Sequence, residues 1–412
     1  MTLHTPPEAA QSQSHRHPPL FLFGIAILAG ATAPFSQIAM PFLLRREGVP
    51  VATIAGISSL ALLPFMLMIA WSPLADMVLS RRNWVFFGNF LSAVLLYAAI
   101  LVPRPAYLSL FAALLFASNA GYSMAFIALQ GMMSVAVPDA KRGKSAAWFQ
   151  AGNLGGFPLL GGAALWLIER MTLAHAAAAI AVMSFLPSLA VLFIAEAPRS
   201  VAASRTAFVA MWREIKAVLP KRKTWIGLLI LVSPLGAGAA ANLFSGLGVD
   251  YGASPDTVLW VTGVPGGVIA AVAGAFTGGA LSDRLSRRAA RLLAGALLIV
   301  VAAAMAASPA RPTTFAAGAL AYQFVVGMLW ATFSALALEM SGTEPMTAGV
   351  RMALFNSATV AANVYVTSAD GLGYRAMGLR GLLGMDAGLA LAAAVALMVL
   401  LRALREPPAY RG

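Results

Sequence analysis

Long apolar runs recur along almost the whole chain, and they constrain the fold more than any other feature. Each run is about 20 residues long, the length that an α-helix needs to cross the hydrocarbon core of a membrane. Of the 412 residues, 60% are apolar and 10% are charged, whereas soluble proteins carry roughly 25% charged residues. A water-soluble fold is therefore excluded, and the sequence predicts an all-α integral membrane protein.

The runs predict twelve transmembrane helices. Short polar or charged breaks separate them, and in lipid only a helix or a closed barrel satisfies its own backbone groups. The predicted helices cover residues 20–44, 51–71, 84–103, 107–129, 145–168, 172–195, 225–247, 257–279, 290–308, 313–337, 350–370 and 381–402. The longest break lies at the midpoint, so the helices divide into six plus six.

The predicted organisation is two six-helix bundles joined by a basic loop. The expected domains are a disordered cytoplasmic tail (1–19), an N-terminal bundle (20–195), a cytoplasmic central loop (196–224), a C-terminal bundle (225–402) and a cytoplasmic tail (403–412). The first apolar run is expected to remain uncleaved, because Pro34 directly follows its small-residue stretch.

Membrane topology explains the excess of basic residues. The chain has 28 Lys and Arg against 15 Asp and Glu, a net charge of +13. With the N-terminus inside, 21 of these basic residues fall on the cytoplasmic side and 7 on the outer side, as the positive-inside rule requires. We expect a multi-pass protein of the cytoplasmic (inner) membrane with both termini cytoplasmic, and no nucleic-acid partner is needed to explain the charge.

The sequence offers little material for catalysis or metal binding. It has no Cys, and three of its four His lie in the first 19 residues, which removes thiolate sites and cysteine nucleophiles. Gly143-Lys144-Ser145 has the end of a P-loop, but Pro138 stands where the first Gly belongs. We expect no metal, no cofactor and no enzyme activity. The alternative from another class, an integral membrane transferase, lacks a nucleophile, base or metal cluster.

Two short patterns repeat between the halves. An Asp ahead of an Arg pair follows the second helix and again the eighth, and the two Asp are 207 residues apart (283 minus 76). A Phe on the fifth helix recurs on the eleventh at an offset of 206 (355 minus 149). Both offsets are close to half of the chain, which indicates a duplication. The first pattern consists of Asp76, Arg81 and Arg82, and of Asp283, Arg287 and Arg288.

The second copy of the Asp–Arg pattern resembles a family signature. Residues 279–288 read GALSDRLSRR, which is similar to the G-x-x-x-D-R-x-G-R-R signature of the major facilitator superfamily, with Ser286 in place of the second Gly. The first copy matches less closely. The resemblance implies the major facilitator fold and a secondary transporter, a permease that moves a small solute by alternating access.

A narrower resemblance lies on the second helix. Residues 63–76 read LPFMLMIAWSPLAD, which looks like the P-Y-x-x-K-x-x-W-x-P-L-x-D pattern of the muropeptide permease and acetyl-coenzyme A transporter branch. On the fifth helix, residues 150–156 read QAGNLGG, which is similar to the siderophore-uptake members of that branch. Met68 stands where that branch often has Lys, which does not suit an anionic cargo. The branch implies proton-coupled uptake, or symport, of a siderophore or peptide-like compound. A drug or metabolite efflux antiporter of the same superfamily is the alternative.

The repeated motif is predicted to form a conformational switch at the inner helix ends. A carboxylate beside a helix N-terminus is stabilised by the free N–H groups there, and the resemblance implies that Asp76 lies near the eleventh helix and Asp283 near the fifth. The alternative is that these charges only fix topology. The predicted switch residues are Asp76, Arg81, Arg82, Asp283, Arg284, Arg287, Arg288, Glu339, Glu344 and Arg351.

Polar residues within the predicted helices mark a substrate path, because their exposure to lipid is costly. On the eleventh helix, five of them fall within about 80° of one face; they are Asn356, Thr359, Asn363, Thr367 and Asp370. For each single residue, an interhelical hydrogen bond is the alternative. The predicted cavity residues are Gln37, Asn119, Tyr122, Gln150, Asn153, Asn242, Gln323, Trp330, Asn356 and Asn363.

Transport against a gradient needs an energy source, and proton coupling needs a titratable group on the path. Asp370, at the outer end of the polar stripe, is the first candidate, and Glu339 is the second. A boundary charge is the alternative for each. The expected partners are a small-molecule cargo, protons and membrane lipid, and the chain is expected to act as a monomer.

Overall fold

The computed structural model describes residues 19–68, 70, 79–137, 142–194, 209, 212–213, 215–217, 219–341 and 345–403. Over these residues the regular secondary structure is helical, without a strand. Seven of the described helices are long and apolar enough to cross a membrane, and one of these, Met352–Leu400, has the length of two crossings. The predicted all-α fold of two six-helix bundles is confirmed.

The first half contains one broken helix and five nearly regular ones. Helix α1 is built from Phe21–Ala26, Thr32–Pro34, a π-helical turn Phe35–Ala39 and Met40–Arg46. The others are α2 (Val51–Met66), α3 (Arg81–Leu101), α4 (Leu108–Ala136), α5 (Arg142–Arg170) and α6 (Leu173–Phe185, continued by a 3₁₀ segment Leu186–Phe193).

The second half follows the same plan, with a further break in α8. Helix α7 is built from Arg222–Val232, a 3₁₀ segment Ala239–Leu243, Phe244–Leu247 and a 3₁₀ turn Gly248–Tyr251. The others are α8 (Pro255–Thr262 and Gly266–Arg284), α9 (Arg287–Ala307) and α10 (Pro312–Ser341). Helices α11 and α12 share Pro345–Ala403 and are divided by the non-helical Met377 and Gly378. We call the end with the α2–α3 and α8–α9 connections the inner end, following the predicted orientation.

The repeated motif ends in a helix cap in both halves. Ser80 accepts a hydrogen bond from the backbone N–H of Asn83 at the start of α3, at 3.3 Å. Ser286 does the same for Ala289 at the start of α9, also at 3.3 Å. The two serines are 206 residues apart (286 minus 80). Ser286 therefore replaces the signature glycine with an N-cap that satisfies a free backbone donor.

The two broken helices also obey the repeat. Gly30 in the break of α1 has φ +90° and Gly236 in the break of α7 has φ +81°, and they are 206 residues apart (236 minus 30). A left-handed backbone favours glycine because a Cβ would clash there. The duplicated unit thus carries a helix interruption at one fixed position.

The buried core is shared at the outer end and divided at the inner end. One cluster combines residues of both halves, among them Phe35 of α1, Phe244 of α7 and Phe315 of α10. Toward the inner end, a separate cluster around Phe23 belongs to the first half and another around Phe355 belongs to the second. Among the described residues, the two halves are therefore joined by their apolar core at the outer end.

Close backbone approaches support this joint. A Cβ on Gly162 of α5 would lie 3.1 Å from the Cα of Gly263 of α8. A Cβ on Gly246 of α7 would lie 2.9 Å from the carbonyl oxygen of Pro41 of α1. Small residues permit such contacts between membrane helices.

Arg291 departs from the predicted charge distribution. The predicted topology counts it among the inner basic residues, although the predicted ninth helix (290–308) includes it. In the structure it lies within α9 and is 3% exposed. Twenty of the 28 basic residues then remain for the inner side, which leaves the bias intact.

A glycine of α8 provides the first testable prediction. A Cβ on Gly274 would collide with the carbonyl oxygen of Phe324 on α10, whereas a Cβ on Gly388 of α12 would meet nothing within 4 Å. Because overpacking a tight contact costs about 1–3 kcal/mol, Gly274→Ala should lower the melting temperature of the purified protein. Gly388→Ala is the matched control and should leave it nearly unchanged. Equal melting temperatures for the two variants would contradict the packing described here.

Candidate functional site

Two predicted cavity residues meet where α7 resumes after its break. The amide of Asn242 donates to Oδ1 of Asn363 at 2.6 Å and to Oγ1 of Thr367 at 3.0 Å. Asn363 in turn donates to the carbonyl of Ala237 at 2.9 Å. The middle of the polar stripe on α11 therefore holds α7 in place.

The carbonyl groups freed by the break of α7 are satisfied by side chains of other helices. Tyr365 of α11 donates to the carbonyl of Val232 at 2.6 Å. Arg291 of α9 donates to the carbonyl of Gly236 in the break at 3.2 Å, and also to the carbonyl of Leu329 on α10 at 2.7 Å. An unsatisfied carbonyl in a membrane costs several kcal/mol, so these donors are a condition for the break. This role explains why Arg291 is buried within α9.

Asn119 lies in a hydrogen-bond network inside the first half. It is fully buried and donates to Oγ of Ser36 at 3.0 Å and to the carbonyl of Leu115 at 2.9 Å. Beside it, the Thr32 hydroxyl lies 2.8 Å from that of Ser92. The network joins α1, α3 and α4, so Asn119 makes an interhelical hydrogen bond in this conformation. Its contact with a cargo stays a prediction.

Tyr122 belongs to a row of aromatic rings in the first half. Its ring centre lies 5.8 Å from that of Phe65 on α2 and 6.1 Å from that of Phe126, which is 5.6 Å from Phe149 on α5. The ring of Tyr122 also fills the space that a side chain at Gly30 would need. The row thus packs against the break of α1.

The remaining predicted cavity residues are partly exposed or lie outside the description. Trp330 is 42% exposed, and its ring packs edge-on against Phe333 at 5.9 Å. The side chain of Gln150 lies outside the described residues. The partly exposed members are Gln37, Asn153, Gln323 and Asn356.

At the inner end, three of the predicted switch arginines have a partner in their own half. Arg81 donates to the carbonyl of Gly131 at 2.8 Å, and Arg82 to the carbonyl of Ile194 at 2.5 Å. Arg287 forms an ion pair with Glu339 at 3.5 Å.

The other predicted switch residues are exposed or undescribed. Asp283 and Arg284 are exposed, and Arg288 is partly exposed. Asp76, Glu344 and the side chain of Arg351 lie outside the described residues, so the contacts expected between the halves at the inner end stay predictions.

Three side chains link the halves at the outer end. Arg45 of α1 donates to Oδ1 of Asp250 of α7 at 2.6 Å and to the hydroxyl of Tyr374 of α11 at 3.1 Å. The Tyr374 hydroxyl donates to the same Oδ1 at 3.0 Å. We call this cluster, Arg45, Asp250 and Tyr374, the outer latch. It was not predicted, although Arg45 and Asp250 lie at equivalent ends of repeat-related helices, 205 residues apart.

A second layer of contacts lies next to the latch, between α2 and α11. Ser59 donates to the carbonyl of Val364 at 2.9 Å, and Ser368 donates to Ser59 at 2.8 Å. A Cβ on Gly371 would lie 2.5 Å from the Cβ of Ala55. We call these residues the α2–α11 seal, because they close the interface between the halves.

The predicted proton-coupling residue Asp370 lies directly behind the seal. Its exposure is 0%, and neither carboxylate oxygen has a hydrogen-bond partner among the described residues. A second carboxylate, Asp386 of α12, is 3% exposed and accepts a hydrogen bond from the Tyr322 hydroxyl at 2.8 Å. Asp386 was not predicted as a site residue, although a carboxylate inside a membrane helix is itself a signal.

Solved structures of membrane transporters share this arrangement of helices. A nucleoside transporter, NupG, matches with a TM-score of 0.70 and 14% identity over 92% of this chain and 99% of its own. A D-xylose–proton symporter matches with a TM-score of 0.66 and 15% identity over 92% and 95%. A bacterial homologue of the lysosomal transporter Spinster, in an inward-facing unoccupied conformation, matches with a TM-score of 0.62 and 15% identity over 93% and 94%.

These likenesses establish the fold. Each covers nearly the whole of both chains, so the chain has the major facilitator fold that the sequence motif implied. No protein-family model matches the chain. The narrower branch resemblance therefore remains a prediction.

The amide that bridges α7 and α11 generates a second prediction. Asn363→Ala would remove the donor to the carbonyl of Ala237 and one of the two acceptors of the Asn242 amide. The loss costs about 1–3 kcal/mol and should lower the melting temperature measurably. Asn356→Ala, two turns earlier on α11, is the control and should change stability by less than about 0.5 kcal/mol. Equal effects of the two changes would contradict the bridging role of Asn363.

Proposed function

We propose that the protein is a secondary transporter that moves a small organic solute across the cytoplasmic membrane by alternating access. The observation that carries the proposal is the division of the core: the halves share one cluster at the outer end and have separate clusters at the inner end. Such a joint lets two rigid bundles rock about a central site. The major facilitator fold supports the same conclusion.

The outer latch and the α2–α11 seal are the gate of this transporter in its outer-closed state. Both join the first half to the second: Arg45 of α1 binds Asp250 of α7, and Ser59 of α2 binds Ser368 of α11. The Spinster homologue adopts an inward-facing conformation. In our proposal, the closed outer contacts of this protein correspond to the same inward-facing state. In the outward-facing state, the inner Asp–Arg motifs take over the same role.

The cargo in this proposal is a neutral or mixed polar–aromatic compound, with siderophores and peptide-like compounds as the first classes to test. Partly exposed amides and an exposed indole, those of Gln37, Gln323, Asn356 and Trp330, are suited to such a cargo. Sugar, nucleoside and peptide transporters all share the fold, so the fold does not select among cargoes.

Protons are the proposed driving ion, with Asp370 as the coupling residue. It is buried without a partner among the described residues, whereas the second candidate, Glu339, is about half exposed and paired with Arg287. Protonation changes the free energy of a buried, unpaired carboxylate more than that of a carboxylate at a solvated helix end, because the buried charge is the more costly one.

Counterflow tests the transporter itself. Purified protein is screened for thermal stabilisation by siderophores and peptides, and a stabilising compound is then loaded into proteoliposomes. A carrier should concentrate external labelled compound against unlabelled compound inside, and empty liposomes are the control. Binding without exchange would contradict the proposal. Accumulation driven by an inward rather than an outward proton gradient separates uptake from the efflux-antiporter alternative.

Opening of the outer latch provides a further prediction. The chain has no Cys, so a single Cys in place of Gln37 reports access to the region inside the latch. Asp250→Asn weakens a charged hydrogen-bonded cluster by about 1.5–3 kcal/mol, and each 1.4 kcal/mol corresponds to a tenfold change in population. Labelling by an impermeant maleimide from the outer side should therefore accelerate about tenfold or more.

The matched control removes a weaker outer carboxylate. Asp256 pairs with Arg170 across the halves at 3.2 Å, but the two side chains are 80% and 58% exposed, and such pairs contribute little. Asp256→Asn should leave the labelling rate within about twofold of the parent. An Asp250→Asn variant that labels no faster than Asp256→Asn would show that the latch does not hold the outer end closed.

A further inference from the structure

Two buried carboxylates lie close together within the second half, at the level of the outer gate. Asp370 of α11 and Asp386 of α12 interact electrostatically with each other, and both interact with Tyr322 of α10. Asp386 accepts the Tyr322 hydroxyl at 2.8 Å, whereas Asp370 has no hydrogen bond on either oxygen among the described residues. The pair therefore contains one buried carboxylate with a hydrogen-bond donor, Asp386, and one without a donor among the described residues, Asp370.

The packing around the pair is tight. A Cβ on Gly373 of α11 would collide with the carbonyl of Gly381 on α12, and a Cβ on Gly381 would collide with that of Gly373. These glycines bring α11 and α12 together one turn outward of Asp370. The carboxylates are thereby held near each other and away from lipid, at exposures of 0% and 3%.

Among the described residues, the helices packed around the pair carry few other titratable or charged groups. Helix α10 presents Tyr322, while α2 over Val51–Met66 and α7 over 239–247 contain none; the next turn of α7 carries Asp250 and Tyr251. One turn outward on α11, Tyr374 is engaged in the outer latch. The buried cation of this half, Arg291 of α9, donates to backbone carbonyls.

Two adjacent carboxylates in a dry environment cannot both carry a charge at acceptable cost, because like charges repel and neither is hydrated. Loading one of them with a proton removes the repulsion and supplies the missing donor. We infer that Asp370 and Asp386 share one proton and form the coupling-ion site, separate from the cargo path. The inference deepens the proposed function and rests on it for the transport role alone.

The location of the site couples the proton to the outer gate. Asp370 is adjacent to Gly371, which packs against Ala55, and two residues from Ser368, which binds Ser59. The seal therefore closes over a neutral carboxyl. An ionised Asp370 requires water, and water reaches it from the outer side once the α2–α11 seal parts. Loss of the proton thus favours the outward-open state.

Infrared spectroscopy tests the proton directly. The wild-type protein in liposomes at neutral pH should show a protonated-carboxyl C=O band, since exposed acids are ionised there. Asp370→Asn should abolish this band, and Tyr322→Phe, which removes the donor to Asp386, should shift its frequency. Asp256→Asn, in an exposed pair, is the control and should leave the band unchanged. A wild-type protein without the band, or a band that survives in both Asp370→Asn and Asp386→Asn, overturns the inference.

Sodium is the competing coupling ion, and the same measurement distinguishes it. Exchange of K⁺ for Na⁺ in the buffer should leave the band in place. Loss of the band on addition of Na⁺ would show that a metal cation displaces the proton and would overturn the assignment.

Labelling of the Gln37→Cys reporter from the outer side tests the coupling. Normalised to the unfolded protein, the labelling rate should rise with pH in the parent, because proton loss opens the seal. In Asp370→Asn, which stays neutral, it should remain low at every pH, and Asp256→Asn should follow the parent. A pH dependence in Asp370→Asn equal to that of the parent would contradict the coupling, whereas the counterflow result bears on transport independently.

Discussion

Every backbone group that a membrane helix releases must find a donor or acceptor inside the protein, and the rest of this structure depends on that requirement. Helices α1 and α7 are interrupted at equivalent glycines. In α7 the freed carbonyls are bound by Tyr365, Arg291 and Asn363. These bonds commit α9 and α11 to fixed positions around α7. The break of α7 therefore determines how α9 and α11 pack in the second half.

From that organisation follows an asymmetry between the two ends of the molecule. The outer end combines a shared apolar core with polar contacts between the halves, while the described inner ends have a core in each half. Small residues at the crossings, such as Gly162 against Gly263, keep the joint smooth. The buried carboxylates sit at the boundary of this joint, so a change in their charge acts where the halves separate. In the proposed transport cycle, solute access and proton loading are parts of one movement.

The sequence predicts the helices well because lipid imposes a simple rule of length and apolarity. Most observed helix ends fall within five residues of those expected, while α4 extends to Ala136, seven residues beyond the predicted end. It does not reveal which polar residues face each other. Asn119 and Asn242 are both amides inside predicted helices, but the sequence does not show that Asn119 binds Ser36 of α1 and that Asn242 binds Asn363 of α11. Asp386 and the outer latch depend on contacts between distant segments. The breaks of α1 and α7 could have been found from the sequence, because Gly30 and Gly236 are separated by the repeat offset of 206 residues.

The geometry of the outer latch has a consequence for turnover. Both donors, Arg45 and Tyr374, converge on one oxygen of Asp250, and its other oxygen has no partner among the described residues. A fork-shaped, two-oxygen pairing would hold more firmly. Because only one oxygen is bound, the free-energy difference between the closed and the open latch is small, and thermal motion opens the latch readily. In the proposed transport cycle, an outer latch of limited strength allows faster turnover.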